Sequence, residues 1–373
     1  MVLLKKIIIF AAKLGNMRLL AAIFLYPLSL LYAMAVAMRN MLYAWGMFKS
    51  VTFNLPVITV GNLTVGGTGK TPFTEFLVSL FKDKQVTAVL SRGYKRKTKG
   101  FRYVEVTDTV REAGDEPLQI KRKFPKLTVA VEANRVKGIR RLQADAPQLG
   151  LVILDDAYQH RRVKPTMSIL LVDHSRPITE DHYLPYGRLR DTLGQKHRAN
   201  VVIVTKCPTN MRPIDQRVMM KTLKLYPYQQ LFFTTFGYEL PQPVFHGEAA
   251  LPLSIKETVA LTGIASPQPF IEHLGTFSKV LHHLDFPDHH VFTKKDIARM
   301  NTLVATYPSV PIFTTEKDAQ RLRMDKDCSE ALKQQLFYIP VKVQFFSKTD
   351  SEKFEAFVTE YIQKDKPKRL FYF

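Results

Sequence analysis

Residues 57–72 read VITVGNLTVGGTGKTP, and no other stretch restricts the chain as much. Val57 to Val60 has the apolar, β-branched character of a short buried strand. Phe73, Phe76, Leu77, Leu80 and Phe81 recur at helical spacing beyond it. Between them lies a glycine-rich turn that ends in Gly69-Lys70-Thr71. Strand, glycine turn and helix in this order bring the backbone N–H groups of Gly66, Gly67, Gly69 and Lys70 together on an anion, because no side chains intervene. On that reading the stretch Thr64, Val65, Gly66, Gly67, Thr68, Gly69, Lys70, Thr71 and Pro72 wraps a nucleoside triphosphate. Lys70 then reaches the β- and γ-phosphates and Thr71 holds Mg²⁺. The strict phosphate-loop pattern has a glycine where this chain has Thr64; three glycines just before Lys70 compensate. A ligand-free glycine turn is the plainer alternative, and it leaves Gly-Lys-Thr at a helix start unexplained.

A metal partner for that loop lies downstream. Leu151-Val-Ile-Leu runs into Asp155-Asp156, the form of a Walker B strand. Adjacent carboxylates repel unless a cation neutralises them, so Asp155 or Asp156 is expected to share a metal with Thr71. Further apolar strands are expected at 86–90, 127–131, 168–172 and 201–204, alternating with helical patterns. That alternation predicts an α/β, P-loop NTPase-like fold, a mostly parallel sheet with helices on both faces. Such sheets bind ligands beyond the strand C-termini, which is where Arg92 of SRGY stands. Asp115 of GDEP opens another helix; it reads either as a plain cap or as a carboxylate presented to a cleft.

Lys and Arg number 54 against 33 Asp and Glu, a net charge of +21 that calls for an anionic partner. No zinc-finger spacing, RNA-binding signature or basic–aromatic repeat speaks for nucleic acid. The two cysteines, Cys207 and Cys328, suit a reducing compartment rather than a disulfide framework. The stretch 19–38, LLAAIFLYPLSLLYAMAVAM, carries no charge and is flanked by Lys and Arg on both sides. Three readings stay open for it: a helix dipping into one leaflet, a spanning helix, or a helix packed on the chain's own core. The preferred organisation is a membrane-associating segment over 1–48, a nucleotide domain over 49–235, a smaller α/β domain over 236–345, and a closing helix and tail over 346–373. Strands near 235 and 340 are expected to act as a hinge between the two domains.

Together these motifs resemble one family, the tetraacyldisaccharide 4′-kinases that phosphorylate the lipid A precursor in Gram-negative bacteria. The carrying motifs are GNLTVGGTGKTP at 61–72, SRGY at 91–94, GDEP at 114–117 and EANR at 132–135. They continue with LDDAYQHRR at 154–162, GRLRDTL at 187–193, FPDHH at 286–290 and TTEKDAQRL at 314–322. The Thr64 variant of the glycine loop is itself similar to the family's version. The chain departs modestly at Ala157-Tyr158 and at Arg188 and Asp191, which leaves the acids and Arg190 in place and bears only on loop geometry.

The resemblance implies ATP and Mg²⁺ as reactants, an acylated glucosamine disaccharide 1-phosphate as acceptor, and work at the cytoplasmic face of the inner membrane. It implies Asp115 as the base toward the sugar hydroxyl, tuned by His289, with Lys70 neutralising the transferred group. Glu116 joins Thr71, Asp155 and Asp156 as a candidate metal ligand, and Arg92, Arg135, Arg188 and Arg190 are candidate phosphate contacts. A membrane-bound P-loop ATPase or GTPase switch is the rival function; it leaves FPDHH unexplained.

Overall fold

The computed structural model describes residues 17–245, 251, 254–288, 290–323 and 327–364. The chain opens with helix α1 (Met17–Ala44), then strand β1 (Val57–Gly61), helix α2 (Lys70–Phe81), β2 (Thr87–Ser91) and β3 (Arg102–Tyr103). Helices α3 (Val110–Ala113) and α4 (Asp115–Lys123) precede β4 (Thr128–Val131), α5 (Arg135–Asp145), β5 (Leu151–Leu154), β6 (Met167–Asp173) and β7 (Val201–Thr205). Next come α6 (Pro213–Leu223), β8 (Gln230–Tyr238), β9 (Gln242–Pro243), β10 (Glu257–Thr262), α7 (Gln268–Gly275), β11 (Lys279–Asp285) and α8 (Lys294–Thr306). The chain closes with β12 (Ile312–Thr315), α9 (Glu316–Leu322), α10 (Glu330–Gln335), β13 (Leu336–Ile339), β14 (Val341–Phe345) and α11 (Lys348–Lys364).

These elements gather into two compact units, one from the described parts of 1–68, 156–234 and 347–373, the other from 69–155 and 235–346. In the first, β1, β6, β7 and β8 pair in parallel, with Val60 beside Ile169, Leu171 beside Ile203 and Ile203 beside Phe232. Strands β1, β6 and β7 are buried along their whole length, which is why they read as unbroken apolar runs rather than as alternation. Helix α11 closes this unit's core: Phe354, fully buried, sets its ring 5.4 Å from Phe232, and Tyr361 accepts a 2.7 Å bond from the Asn200 amide. Burial of a side chain like Phe354 contributes about 1.5–3 kcal/mol.

In the second unit β5, β2 and β4 are parallel and β3 joins antiparallel at the edge. A separate sheet runs β11-β10-β12-β13, all parallel, with β9 antiparallel at its end. Its core is built from Leu261, Leu284, Ile297, Met300, Leu322 and Leu336. Parallel strands with helical crossovers make the α/β class expected from the sequence.

Helix α1 inverts the usual arrangement of a surface helix. Its polar side chains turn toward the protein: the Ser29 hydroxyl accepts from the Tyr186 N–H at 2.9 Å, Tyr32 donates to the Arg190 carbonyl at 3.1 Å, and Asn40 donates to Asp191 at 2.7 Å. Leu28, Leu31, Met34 and Met38, each about half exposed or more, face outward. Of residues 22–44 only Ser29, Val36 and Asn40 are buried, so α1 leaves most of its surface outside the unit's core. In water this polarity is backwards; against hydrocarbon it is the favourable one.

Candidate active site

The glycine loop departs from β1 and turns into α2. Gly66 holds φ +110° and Gly69 φ +81°, conformations that L side chains rarely adopt. A Cβ at Gly69 would also meet the Phe236 ring at 2.7 Å. Gly67 is different: its φ is not positive and nothing lies within 4 Å of where its Cβ would stand. Among the described residues neither strain nor packing calls for a bare residue there. The Thr68 hydroxyl is buried without a hydrogen-bond partner, while its carbonyl accepts from Thr205 at 2.9 Å.

In the first unit the loop meets the GRLRD motif. The Val65 N–H donates to the Arg188 carbonyl and the Arg190 N–H to the Leu63 carbonyl, both at 2.8 Å. Residues 64–68 wall a small cleft together with Asp173, Arg176, Asp181 and Arg188. The Arg188 side chain is exposed, whereas Arg190 binds the Asp156 carboxylate and donates to Asn62 at 2.6 Å. Asp156 sits at φ +45°, a left-handed kink directly after the Walker B strand. Asp173 and Lys206, at the tips of neighbouring strands β6 and β7, pair at 2.8 Å. Burial would push the Asp173 carboxyl up, but Lys206 and Ser175 bring it below its ordinary range. The sequence marks both as charges at the ends of apolar strands but gives neither a role, since their pairing across β6 and β7 needs the sheet order.

In the second unit Lys70 and Thr71 are half-buried at the first turn of α2. One turn on, Thr74 donates to Asp155 at 3.0 Å and ties that buried carboxylate to the phosphate-loop helix. Glu75, the next residue, accepts from Gln119 and from Lys123 of α4, both at 2.7 Å. These bonds fix α4, whose first residue is Asp115, against α2.

Gly114 shapes the approach to Asp115, with φ +93° and ψ 159°. Its Cβ would lie 3.1 Å from the backbone of Gly93 and 3.2 Å from the Tyr94 carbonyl. Gly93, at φ +68°, would meet the Ala113 carbonyl at 2.9 Å. SRGY and GDEP are thus two halves of one backbone crossing that only glycines permit. Asp115 is 7% exposed, and Arg321 of α9 donates to its Oδ2 from Nη2 at 2.6 Å and from Nε at 3.1 Å. Lys317 of the same helix stands 3.9 Å from Glu116 and 3.3 Å from Asp288 of the FPDHH motif.

The remaining candidates fall unevenly. Arg92 is exposed just past β2. Arg135 is 2% exposed and donates to the carbonyls of Glu132 and Ala133 at 3.2 Å, which holds the turn that starts α5. His289 lies outside the described residues; its neighbour His290 is engaged with Asp296 at 2.9 Å. Among the described residues no group of three His, Cys, Asp or Glu forms a metal cage. Thr71, half-buried at the start of α2, and Asp155, tied to that helix through Thr74, carry hydroxyl and carboxylate oxygens, the donor type that Mg²⁺ takes beside phosphate and water.

A parallel sheet, a glycine loop running into Lys-Thr at a helix start, a strand-end acid bonded to that helix, and a second carboxylate held at the start of the neighbouring helix define a P-loop phosphotransferase. Residues 21–363 match the family model for tetraacyldisaccharide-1-P 4′-kinase, and the chain belongs to that family. It is 44% identical over 349 residues to the tetraacyldisaccharide 4′-kinase of Phocaeicola vulgatus, covering 91% of this chain and 95% of that one. To the tetraacyldisaccharide 4′-kinase of Flavobacterium johnsoniae it is 40% identical over 345 residues, 91% of this chain and 97% of that one. The crystal structure of the "apo" form of LpxK from Aquifex aeolicus in complex with ATP matches with a TM-score of 0.69 at 28% identity, over 90% of this chain and 98% of that one.

Proposed function

We propose that this protein transfers the γ-phosphoryl group of ATP to the 4′-hydroxyl of a tetraacylated glucosamine disaccharide 1-phosphate, giving lipid IVA for lipid A biosynthesis. The observation that carries the proposal is membership of the 4′-kinase family over residues 21–363. Residues 64–72 cradle the triphosphate through backbone N–H groups, and Lys70 offsets the charge of the transferred group. Thr71, Asp155 and Asp156, joined by Glu116, are the candidate donors for Mg²⁺, which when bound neutralises phosphate charge. Asp115 takes the proton of the sugar hydroxyl as the new P–O bond forms and the bond to the leaving ADP breaks. His289 tunes Asp115. Arg92, Arg188 and Arg190 contact phosphate groups, while Arg135 acts by holding its own turn.

The apolar outer face of α1 docks on the cytoplasmic surface of the inner membrane, which presents the acylated acceptor and keeps its chains in lipid. The test is Asp115→Ala, with lipid phosphorylation and ATP affinity measured separately. Turnover is expected to fall by about 10²–10⁴-fold while ATP affinity stays near wild type. Near-normal turnover in that variant removes Asp115 from the mechanism.

A further inference from the structure

The motif TTEKDAQRL at 314–322, given no role above, runs from the end of β12 into α9 and makes several polar contacts within the second unit. Four of its side chains reach α4 or the FPDHH loop. Glu316 stands 3.6 Å from Lys123, Gln320 accepts from Arg122 at 2.7 Å, Lys317 pairs with Asp288, and Arg321 binds Asp115. Arg321 is itself held in place. Its Nη1 donates to Asp318 at 2.9 Å and to the Gly263 carbonyl at 3.3 Å. Asp318 in turn accepts from the Gly263 N–H at 2.8 Å and from the Thr315 hydroxyl at 2.7 Å. The Arg321 and Asp318 side chains are 6% and 0% exposed. Burial works against the Arg321 charge, but Asp115 and then Asp318 hold the guanidinium above its ordinary range.

We infer that α9 is a positioning clamp for the catalytic carboxylate, with Arg321 as the residue that orients Asp115; this rests on Asp115 being the base. The physical case is one of geometry. A carboxylate at a helix start swings about two side-chain torsions, and a base must hold its oxygen within hydrogen-bond reach of the acceptor hydroxyl. Two guanidinium donors on Oδ2 remove that freedom, and the fork is fixed by Asp318 and Gly263 rather than by solvent. Lysine would keep the charge but lose the fork. Burial of the whole relay makes its geometry definite, unlike a surface ion pair, which contributes little.

The experiment compares Arg321→Gln, Arg321→Lys, Gln320→Leu, Asp115→Asn and the double variant Asp115→Asn/Arg321→Gln in the full-length protein. It measures kcat and the KM for ATP with the lipid acceptor, together with melting temperature. Arg321→Gln is expected to lower kcat about 100-fold with the KM for ATP within about 2-fold, and Arg321→Lys to recover about 10-fold of that loss. Gln320→Leu breaks the bond to Arg122 between the same two helices without touching Asp115, and its kcat should stay within about 3-fold of wild type. In the Asp115→Asn background, Arg321→Gln should cost less than about 3-fold more, because the residue acts through the one already removed. Full multiplication of the two losses overturns the clamp while leaving Asp115 as the base. An equal loss of turnover in Gln320→Leu and Arg321→Gln also overturns it, since helix attachment alone would then account for both. Near-normal turnover in Asp115→Asn removes the base assignment, and the clamp with it.

Discussion

Gly114→Ala tests whether the SRGY–GDEP crossing is what holds Asp115, the proposed base, in place. The native backbone at this position, φ +93° and ψ 159°, lies in a region essentially restricted to glycine. Forcing alanine into it costs on the order of 1–3 kcal/mol. The added methyl would also stand 3.1 Å from the Gly93 backbone and 3.2 Å from the Tyr94 carbonyl, neither of which can rotate away as a side chain would. Overpacking of that kind adds about 1–3 kcal/mol, so the total is about 2–6 kcal/mol. At about 2–4 °C per kcal/mol for units of this size, the melting temperature should fall by roughly 4–24 °C.

Gly100→Ala is the matched control for Gly114→Ala, with φ +72° but nothing within 4 Å of its Cβ. It should lose only the left-handed penalty of about 1–2 kcal/mol. Because Asp115 is the next residue after Gly114, a shift of the crossing moves the carboxylate, and kcat should fall about 100-fold while ATP affinity changes little. The assays are calorimetry, nucleotide titration and lipid phosphorylation on both variants. If Gly114→Ala melts no lower than Gly100→Ala and turns over normally, the crossing does not constrain the site and the reasoning fails.

Two further outcomes follow from the same structure. Burial, and then the nearby Glu316 carboxylate, push the Glu75 carboxyl up to about 7 against the pull of Lys123. The folded state therefore binds the proton more tightly than the unfolded chain, so stability is greatest below about pH 4.5 at this site and declines as pH rises through about 7, by at most about 3 kcal/mol. Glu75→Gln should flatten the dependence of the urea midpoint between pH 5 and 8; an unchanged slope would rule Glu75 out as its source. On α1, Leu31→Glu with Met34→Glu places charges at positions 61% and 66% exposed, where no partner is buried. Flotation with anionic vesicles should drop sharply while melting temperature holds within about 1 kcal/mol equivalent; vesicle binding that survives both charges would move the membrane contact elsewhere.

What could be read from the chain, and what could not, divides along the range of the forces involved. The glycine loop, the Walker B strand and the parallel sheet are local or periodic signals: an unbroken apolar run such as Val201–Val204 announces a strand buried on both faces wherever it lies. Asp115 was marked by its motif, but the reason Gly114 precedes it is a contact with Gly93, 21 positions back, which no window of sequence reveals. Arg321 is more distant still, 206 residues from the carboxylate it holds. Its own neighbourhood reads as a charged helix face, for which a solvated surface is the ordinary explanation. Helix α1 shows the opposite case: composition marked it as membrane-compatible, with a helix dipping into one leaflet preferred, and still left spanning and core packing open. The orientation of Ser29, Tyr32 and Asn40 toward the protein, with leucines and methionines outward, is the polarity that an apolar medium favours, and composition alone does not show it, because it depends on which residues of a distant loop offer hydrogen-bond partners.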